Sequence, residues 1–284
     1  MSDNSRYLRG LSHGGKSVRL SRISNPATGR SLIVPMDHSV TIGPLGSVDH
    51  TAGVLQAISK AGADAVVLHR GRVRHATAGS FAEMGLIVHL SAGTMRSIDT
   101  DAKILVGGVE DAMRVGADAV SVHVNVGSTT EGQQLADFWS VSRECDQLGV
   151  PLLAMVYGRG PLRPAGPADA AEISHLAAIA TDLGADMVKV DYTGDPDSMR
   201  TVAESCPIPI YVAGGSRAAS DDDAVALGDE IMSSGVAGLS FGRNIFDAVN
   251  PYAVTSQLSR VIHGAGVGTS REAFGHPATT LESA

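Results

Sequence analysis

The chain has 284 residues, 43% of them hydrophobic and 18% charged, with 33 glycines and a net charge of −8. That length suits one α/β barrel of roughly 250 residues, and the acidic balance argues against a nucleic-acid partner, since phosphate binding runs on excess Lys and Arg. Two cysteines without metal or disulfide spacing (Cys145, Cys206), no signal-peptide apolar region in Met1 to Gly15, and no bilayer-length apolar run predict a cytoplasmic protein without a membrane partner.

Residues 1–15 read as a flexible lead-in, 16–262 as one folded domain and 263–284 as a polar tail. Within the domain, short apolar runs predict strands at Leu32–Met36, Ala65–His69, Leu86–Leu90, Ala119–Asn125, Pro151–Tyr157, Met187–Val190, Ile208–Ala213 and Ala237–Gly242. Helical apolar spacing falls between them, clearest over Asp49–Ala61, Ala168–Leu183 and Asp221–Ser234. A further short run, Ile104–Val106, predicts an extra strand between the third and fourth. Alternation of this kind implies parallel strands with right-handed crossovers, so the predicted fold is a single-domain α/β (β/α)8 TIM barrel. A doubly wound open sheet is the competing architecture.

An internal echo supports the barrel. Gly62-Ala63-Asp64-Ala65, Gly116-Ala117-Asp118-Ala119 and Gly184-Ala185-Asp186-Met187 share one pattern, with Gly235-Val236-Ala237-Gly238 a weaker copy. Each sets a glycine where a helix ends, just before the second, fourth, sixth and eighth strands.

In such barrels, catalytic groups stand at the C-terminal strand ends. Asp37 and His38 follow the first strand, His69 and His89 the second and third, His123 and Asn125 the fourth, and Tyr157 and Arg159 the fifth. Lys189 and Asp191 belong to the sixth. Gly214-Gly215-Ser216-Arg217 follows the seventh and Gly242-Arg243-Asn244 the eighth; both glycine turns are candidate phosphate cradles, with Arg243 or Arg217 adding charge. Their alternative is ordinary tight turns.

Lys189 stands inside an apolar run, where burial disfavours the ammonium form and leaves an amine able to attack a carbonyl. Its sober alternative is a buried ion pair with Asp191, Asp37 or another carboxylate. Tyr157 and Asp37 complete a candidate catalytic trio as proton donor and acid/base; their alternatives are a barrel-mouth amphipath and a turn cap. The histidines His38, His69, His89 and His123 could instead form a metal site, but no His-x-His pair or His-Glu-x-x-His helix supports one.

Ile33-Val34-Pro35-Met36-Asp37-His38, Met155-Val156-Tyr157-Gly158-Arg159-Gly160, Val188-Lys189-Val190-Asp191-Tyr192-Thr193-Gly194-Asp195, Val212-Ala213-Gly214-Gly215 and Gly242-Arg243-Asn244-Ile245-Phe246 together resemble the archaeal-type class I aldolase family over about residues 15–262. The resemblance implies an imine at Lys189, Tyr157 as proton donor, Asp37 as acid/base and phosphate held at Gly214-Gly215 and Gly242-Arg243. Neither metal nor organic cofactor is implied, and a homo-oligomeric ring, often a decamer, is. Lys16–Ile23, Leu68–His75 and Ser121–Gly127 resemble the heptulosonate-synthase branch, whose members take L-aspartate 4-semialdehyde as acceptor. The donor expected there is dihydroxyacetone phosphate, giving a C7 amino-keto acid precursor of an aminohydroxybenzoate, with a transaldol donor as the alternative; fructose-bisphosphate cleavage and a non-catalytic sugar-phosphate binder are the other readings. His38, Arg159 and His123 are further substrate-binding candidates, and Arg70, His75 and His123 are expected at the aspartyl end. The chain departs from the branch at Gly158, which is usually Pro, and at Ser39, usually Gly.

Overall fold

The computed structural model describes residues 14–163, 166 and 168–264. The expected lead-in and tail therefore lie, apart from residues 14, 15, 263 and 264, outside the described residues. In chain order the strands are β1 (Ser31–Pro35), β2 (Ala65–His69), β3 (Gly85–His89), the short β4 (Ser91–Ala92) and β5 (Ile104–Leu105), β6 (Ala119–Val126), β7 (Leu152–Gly158), β8 (Met187–Val190), β9 (Ile210–Ala213) and β10 (Gly238–Ser240). The helices are α1 (Gly14–Ile23), α2 (Ser39–Ile42), α3 (Val48–Lys60), α4 (Arg70–Val73), α5 (Val109–Met113), α6 (Glu131–Leu148), α7 (Ala170–Asp182), α8 (Pro196–Ser205), α9 (Asp221–Met232), α10 (Arg243–Phe246) and α11 (Pro251–His263).

The eight long strands close a parallel barrel in the order β1-β10-β9-β8-β7-β6-β3-β2, with β1 hydrogen-bonded to both β2 and β10. That closure rules out the open doubly wound sheet. The run at Ile104 is a strand, but outside the barrel: β4 and β5 pair antiparallel as a hairpin over the C-terminal mouth. Among the described residues no helix is long and apolar enough to cross a membrane.

Local chemistry explains the helix starts. Ser47, Asp169, Asp195, Ser220 and Asn250 each accept a hydrogen bond from the backbone N–H three residues on, satisfying a first-turn donor. Asp195, read from sequence as part of a polar strand exit, is the cap of α8, with Pro196 at its first turn.

The repeated Gly-Ala-Asp does more than end a helix. Gly62, Gly116 and Gly184 take φ near +90°, which a side chain would strain. The aspartates two residues later accept backbone N–H bonds from the preceding barrel strand: Asp64 from Leu32 (2.7 Å), Asp118 from Leu86 (2.9 Å) and Asp186 from Leu152 (2.8 Å). Each carboxylate also meets a basic group, namely His263 at 3.0 Å, Arg22 at 2.8 Å and Lys16 at 2.8 Å. In the weaker copy Ala237 replaces the aspartate and this device is missing.

Strand alternation sorts the core into two compartments. Val66, Val88, Val120, Val122, Val124, Val188 and Val190 face the helices. Ile33, Val67, Ile87, Leu153, Met155, Met187 and Tyr211 fill the barrel, and Leu20 and Ile23 of α1 plug its N-terminal end. With period two, Asp37, His69, His89, His123, Tyr157 and Lys189 continue the inward rows at the opposite, open end.

Candidate active site

Those inward rows converge on a cavity of about 480 Å³ at the C-terminal mouth. It is lined by Asp37, His38, His69, His89, His123, Tyr157, Arg159, Lys189, Asp191, Gly214, Gly215, Gly242 and Arg243, so the catalytic trio and most of the predicted substrate-binding residues share one space. A second cavity of about 500 Å³ lies beside α7. It holds the Arg163–Glu172 ion pair (2.7 Å), and none of the catalytic trio lines it.

Lys189 is 6% exposed. Burial pushes its ammonium below the ordinary lysine range; Asp37 and Asp191 pull it back up, while Arg159 and Arg243 push it further down. Only these through-space charges act on it: among the described residues it forms no ion pair or hydrogen bond. The buried-salt-bridge alternative is thereby removed.

Asp37 sits among imidazoles, with Oδ2 3.8 Å from His89 Nε2 and Oδ1 3.7 Å from His38 Nδ1. Burial would raise its pKa, but His89, His38 and Lys189 outweigh this and hold the carboxyl well below the usual range. Asp37 Oδ1 and His38 Nδ1 are buried without hydrogen-bond partners, as is Ser240 Oγ. Unpaired buried polar atoms are costly, and a water, an ion or a substrate atom can each supply the partner.

The histidines serve these groups. His89 hydrogen-bonds Ser121 Oγ at 2.8 Å and meets His69 edge-on at 5.2 Å; burial lowers its pKa to about 4. His38, His69 and His123 are also lowered, chiefly by burial. Among the described residues no three His, Cys, Asp or Glu groups are arranged to hold a metal ion. His123 donates through Nε2 to Asn125 Oδ1 (2.8 Å) and packs its ring 5.0 Å from Tyr157. The Tyr157 hydroxyl is pushed up by burial and by Asp191, so it stays a phenol across the neutral range.

The two glycine turns adjoin each other. A Cβ on Gly214 would meet the Phe241 ring at 2.8 Å and Asn244 Nδ2 at 2.9 Å, and Gly215 holds φ +64°. The N–H groups of Gly214, Gly215 and Gly242 form no hydrogen bond among the described residues. Asn244, read from the sequence only as part of the second turn, ties the turns together by donating to Gly214 O (2.8 Å) and accepting from Ala218 N (2.7 Å). Arg243 donates to Gly215 O at 2.8 Å. Arg217 does not line the cavity; it pairs with Asp221 instead.

Of the groups expected at an aspartyl end, only His123 lines the cavity. Arg70 pairs with Asp111 at 2.9 Å, and His75 is exposed away from the site. Lys103, Asp101 and Thr100, missed from the sequence, enter the wall from the β4–β5 hairpin. No strand parity could have placed them, because the hairpin stands outside the barrel rows. The departure at Gly158 has a local cause: a Cβ there would meet Glu172 Oε1 at 2.0 Å, under the Arg163–Glu172 pair.

Comparison with known proteins bears on the fold and the family. Over 261 residues the chain is 42% identical to the 2-amino-4,5-dihydroxy-6-oxo-7-(phosphonooxy)heptanoate synthase of Streptomyces griseus, covering 92% of this chain and 95% of that one. It is 39% identical over 256 residues to the 2-amino-3,7-dideoxy-D-threo-hept-6-ulosonate synthase of Halobacterium salinarum, covering 89% and 93%. A solved Schiff-base-forming fructose-1,6-bisphosphate aldolase superposes with a TM-score of 0.79 at 25% identity, covering 87% of this chain and 100% of the other. The DeoC/LacD family aldolase pattern matches residues 31–248. From the first barrel strand to the turn beyond the last, the chain belongs to the DeoC/LacD family of aldolases.

Proposed function

We propose that the protein is a class I aldolase of the cytoplasm that joins dihydroxyacetone phosphate to L-aspartate 4-semialdehyde through an imine at Lys189. The observation that carries this reading is a buried lysine amine in the barrel mouth with no counter-ion of its own. Both substrates are small, and the 42% identity to the Streptomyces griseus synthase supports the choice.

Lys189 Nζ attacks the donor carbonyl carbon, and the carbinolamine loses water to give an iminium. A proton leaves the adjacent carbon, its electrons flow toward the iminium nitrogen, and an enamine forms; Asp37, kept ionised by its neighbours, takes that proton. The enamine carbon bonds to the aldehyde carbon, and the aldehyde oxygen takes a proton from Tyr157. Water then hydrolyses the new iminium, freeing the product and Lys189, while the proton on Asp37 returns to solvent and Tyr157 is reprotonated. The phosphate lies against the turns at Gly214-Gly215 and Gly242-Arg243, whose open N–H groups suit an anion. His38 flanks the donor, and Arg159 and His123 face the acceptor.

Transaldol use of the same enamine is the second reading, supported by the 39% identity to the Halobacterium salinarum synthase. Incubation with dihydroxyacetone phosphate and borohydride, followed by peptide mass spectrometry, tests the core of the proposal. A reduced adduct on Lys189 is expected, and none in Lys189→Ala. Absence of an adduct with every phosphorylated ketone tried sinks the imine mechanism and leaves a binding module. Product analysis with aspartate semialdehyde against glyceraldehyde 3-phosphate separates the synthase from a fructose-bisphosphate aldolase. The homo-oligomeric ring implied by the resemblance belongs to this reading and is checked by light scattering.

A further inference from the structure

The wall of the cavity furthest in topology from the glycine turns is made by the β4–β5 hairpin, and it carries charge that the reaction scheme above leaves unused. Lys103 is 9% exposed, yet its ammonium meets only main-chain carbonyls, Thr100 O at 3.2 Å and Ala102 O at 3.4 Å. No carboxylate pairs with it among the described residues. Burial and then the nearby Arg159 lower the Lys103 pKa, while Asp101 and Asp99 act through space to raise it; the Arg159 guanidinium lies over the Tyr157 ring and, among the described residues, has no acidic partner. Asp101 lines the same wall, and no hydrogen bond or ion pair engages its carboxylate.

The hairpin is rigidly built. The Asp101 carbonyl accepts from Asn125 Nδ2 (2.8 Å) and Gln134 Nε2 (3.1 Å), two amides that are almost fully buried. Asp99 accepts from the N–H groups of Asp101 (3.0 Å) and Ala102 (3.1 Å), and is itself held by Thr129 at 2.6 Å. Gly93 leaves the space that the lysine end occupies, since a Cβ there would lie 2.8 Å from Lys103 Nζ.

We propose that this hairpin is the acceptor subsite, in which Lys103, with Arg159, binds the carboxylate of an α-amino acid that carries its aldehyde at the far end, and Asp101 binds its ammonium. A neighbouring cation and anion, fixed by the backbone rather than paired with each other, are complementary to a zwitterion. A phosphorylated aldehyde would set its dianion against Asp101, so the same pair discriminates by charge. Barrel order puts the glycine turns of β9 and β10 on one side of β8 and Arg159 and His123 of β7 and β6 on the other. Lys189 on β8 thus stands between the donor anchor and the acceptor anchor. The inference deepens the proposed function and rests on it for the reaction performed.

The test is steady-state kinetics of Lys103→Met and Asp101→Asn with aspartate 4-semialdehyde and with succinic semialdehyde, which keeps the carboxylate but lacks the amine. Borohydride trapping of dihydroxyacetone phosphate reads the donor side separately. Lys103→Met should raise KM for both aldehydes about 30-fold while donor trapping persists, the loss expected for a charge-assisted hydrogen bond. Asp101→Asn should raise KM about 10-fold for the amino aldehyde alone. Unchanged acceptor KM in Lys103→Met, or donor trapping lost in step in both variants, overturns the subsite. Calorimetric binding of L-homoserine, the unreactive alcohol of the acceptor, needs no catalysis. If wild type fails to trap any donor but binds homoserine through Lys103, the reaction assignment fails and the subsite stands. Homoserine binding unaffected by Lys103→Met, or absent altogether, removes the subsite whatever the reaction proves to be.

Discussion

The guanidinium of Arg159 lies 4.7 Å from the centre of the Tyr157 ring, whose neighbour at 5.0 Å is the His123 imidazole. The phenol ring thus meets a cation–π partner and a tilted imidazole, and burial keeps it protonated. Tyr157→Phe keeps the ring and this packing but removes the proton. We expect kcat to fall by about 10²- to 10³-fold, with the borohydride adduct at Lys189 still formed. Loss of the adduct together with turnover would assign Tyr157 to imine formation instead.

Asn244 is 1% exposed and bridges the two glycine turns through its side-chain amide. Asn244→Ala strands a buried carbonyl at Gly214 and frees the Ala218 N–H, at a cost of about 2 kcal/mol. The turns then lose their mutual register, so KM for the phosphorylated donor should rise by more than KM for the acceptor. Equal rises in both, measured at saturating co-substrate, would show that Asn244 does not act through the cradle.

Histidine burial makes a pH prediction with a definite sign. His89 titrates at about 4 in the folded state against 6.5 in the unfolded chain, and His38, His69 and His123 are displaced the same way. Above pH 6.5 both states are neutral and these groups contribute nothing. As pH falls from 6.5 to about 4, the unfolded chain takes up protons that the folded one refuses, so stability falls. His89 alone accounts for about 3 kcal/mol of that loss. Asp37, held below the ordinary carboxylate range, adds its own loss only at more acid pH. Urea midpoints at pH 7 and pH 4.5 should converge for His89→Gln relative to wild type; an unchanged pH slope would contradict the assignment.

At the closed end of the barrel, Lys16 Nζ contacts Asp186 at 2.8 Å and Asp146 at 2.6 Å, with Lys16 and Asp186 both buried. Lys16→Met leaves the Asp186 carboxylate buried and uncompensated, and should destabilise the fold by about 3 kcal/mol. The site lies at the other end, so kcat per folded molecule should be unchanged. A fall in kcat without a fall in stability would mean that α1 communicates with the mouth.

Period-two alternation and the Gly-Ala-Asp echo were enough to read eight strands, their inward faces and the convergence of Lys189, Tyr157, Asp37 and the glycine turns, because those features are local and repeat with the backbone. Three decisions belong to the tertiary structure alone. Lys189 lacks a counter-ion while Asp37 faces its chain neighbour His38 and, across the barrel mouth, His89 of β3, a long-range approach that no spacing encodes. Arg217, Arg70 and His75 turn away from the cavity, and for both arginines the reason is a nearby carboxylate that pairs with them. Lys103 and Asp101 enter from a hairpin outside the barrel rows, positioned by buried amides of β6 and α6 about 20 to 30 residues further along the chain. A strand's direction is written in its own residues; which charges meet across a barrel mouth is settled only when the strands close.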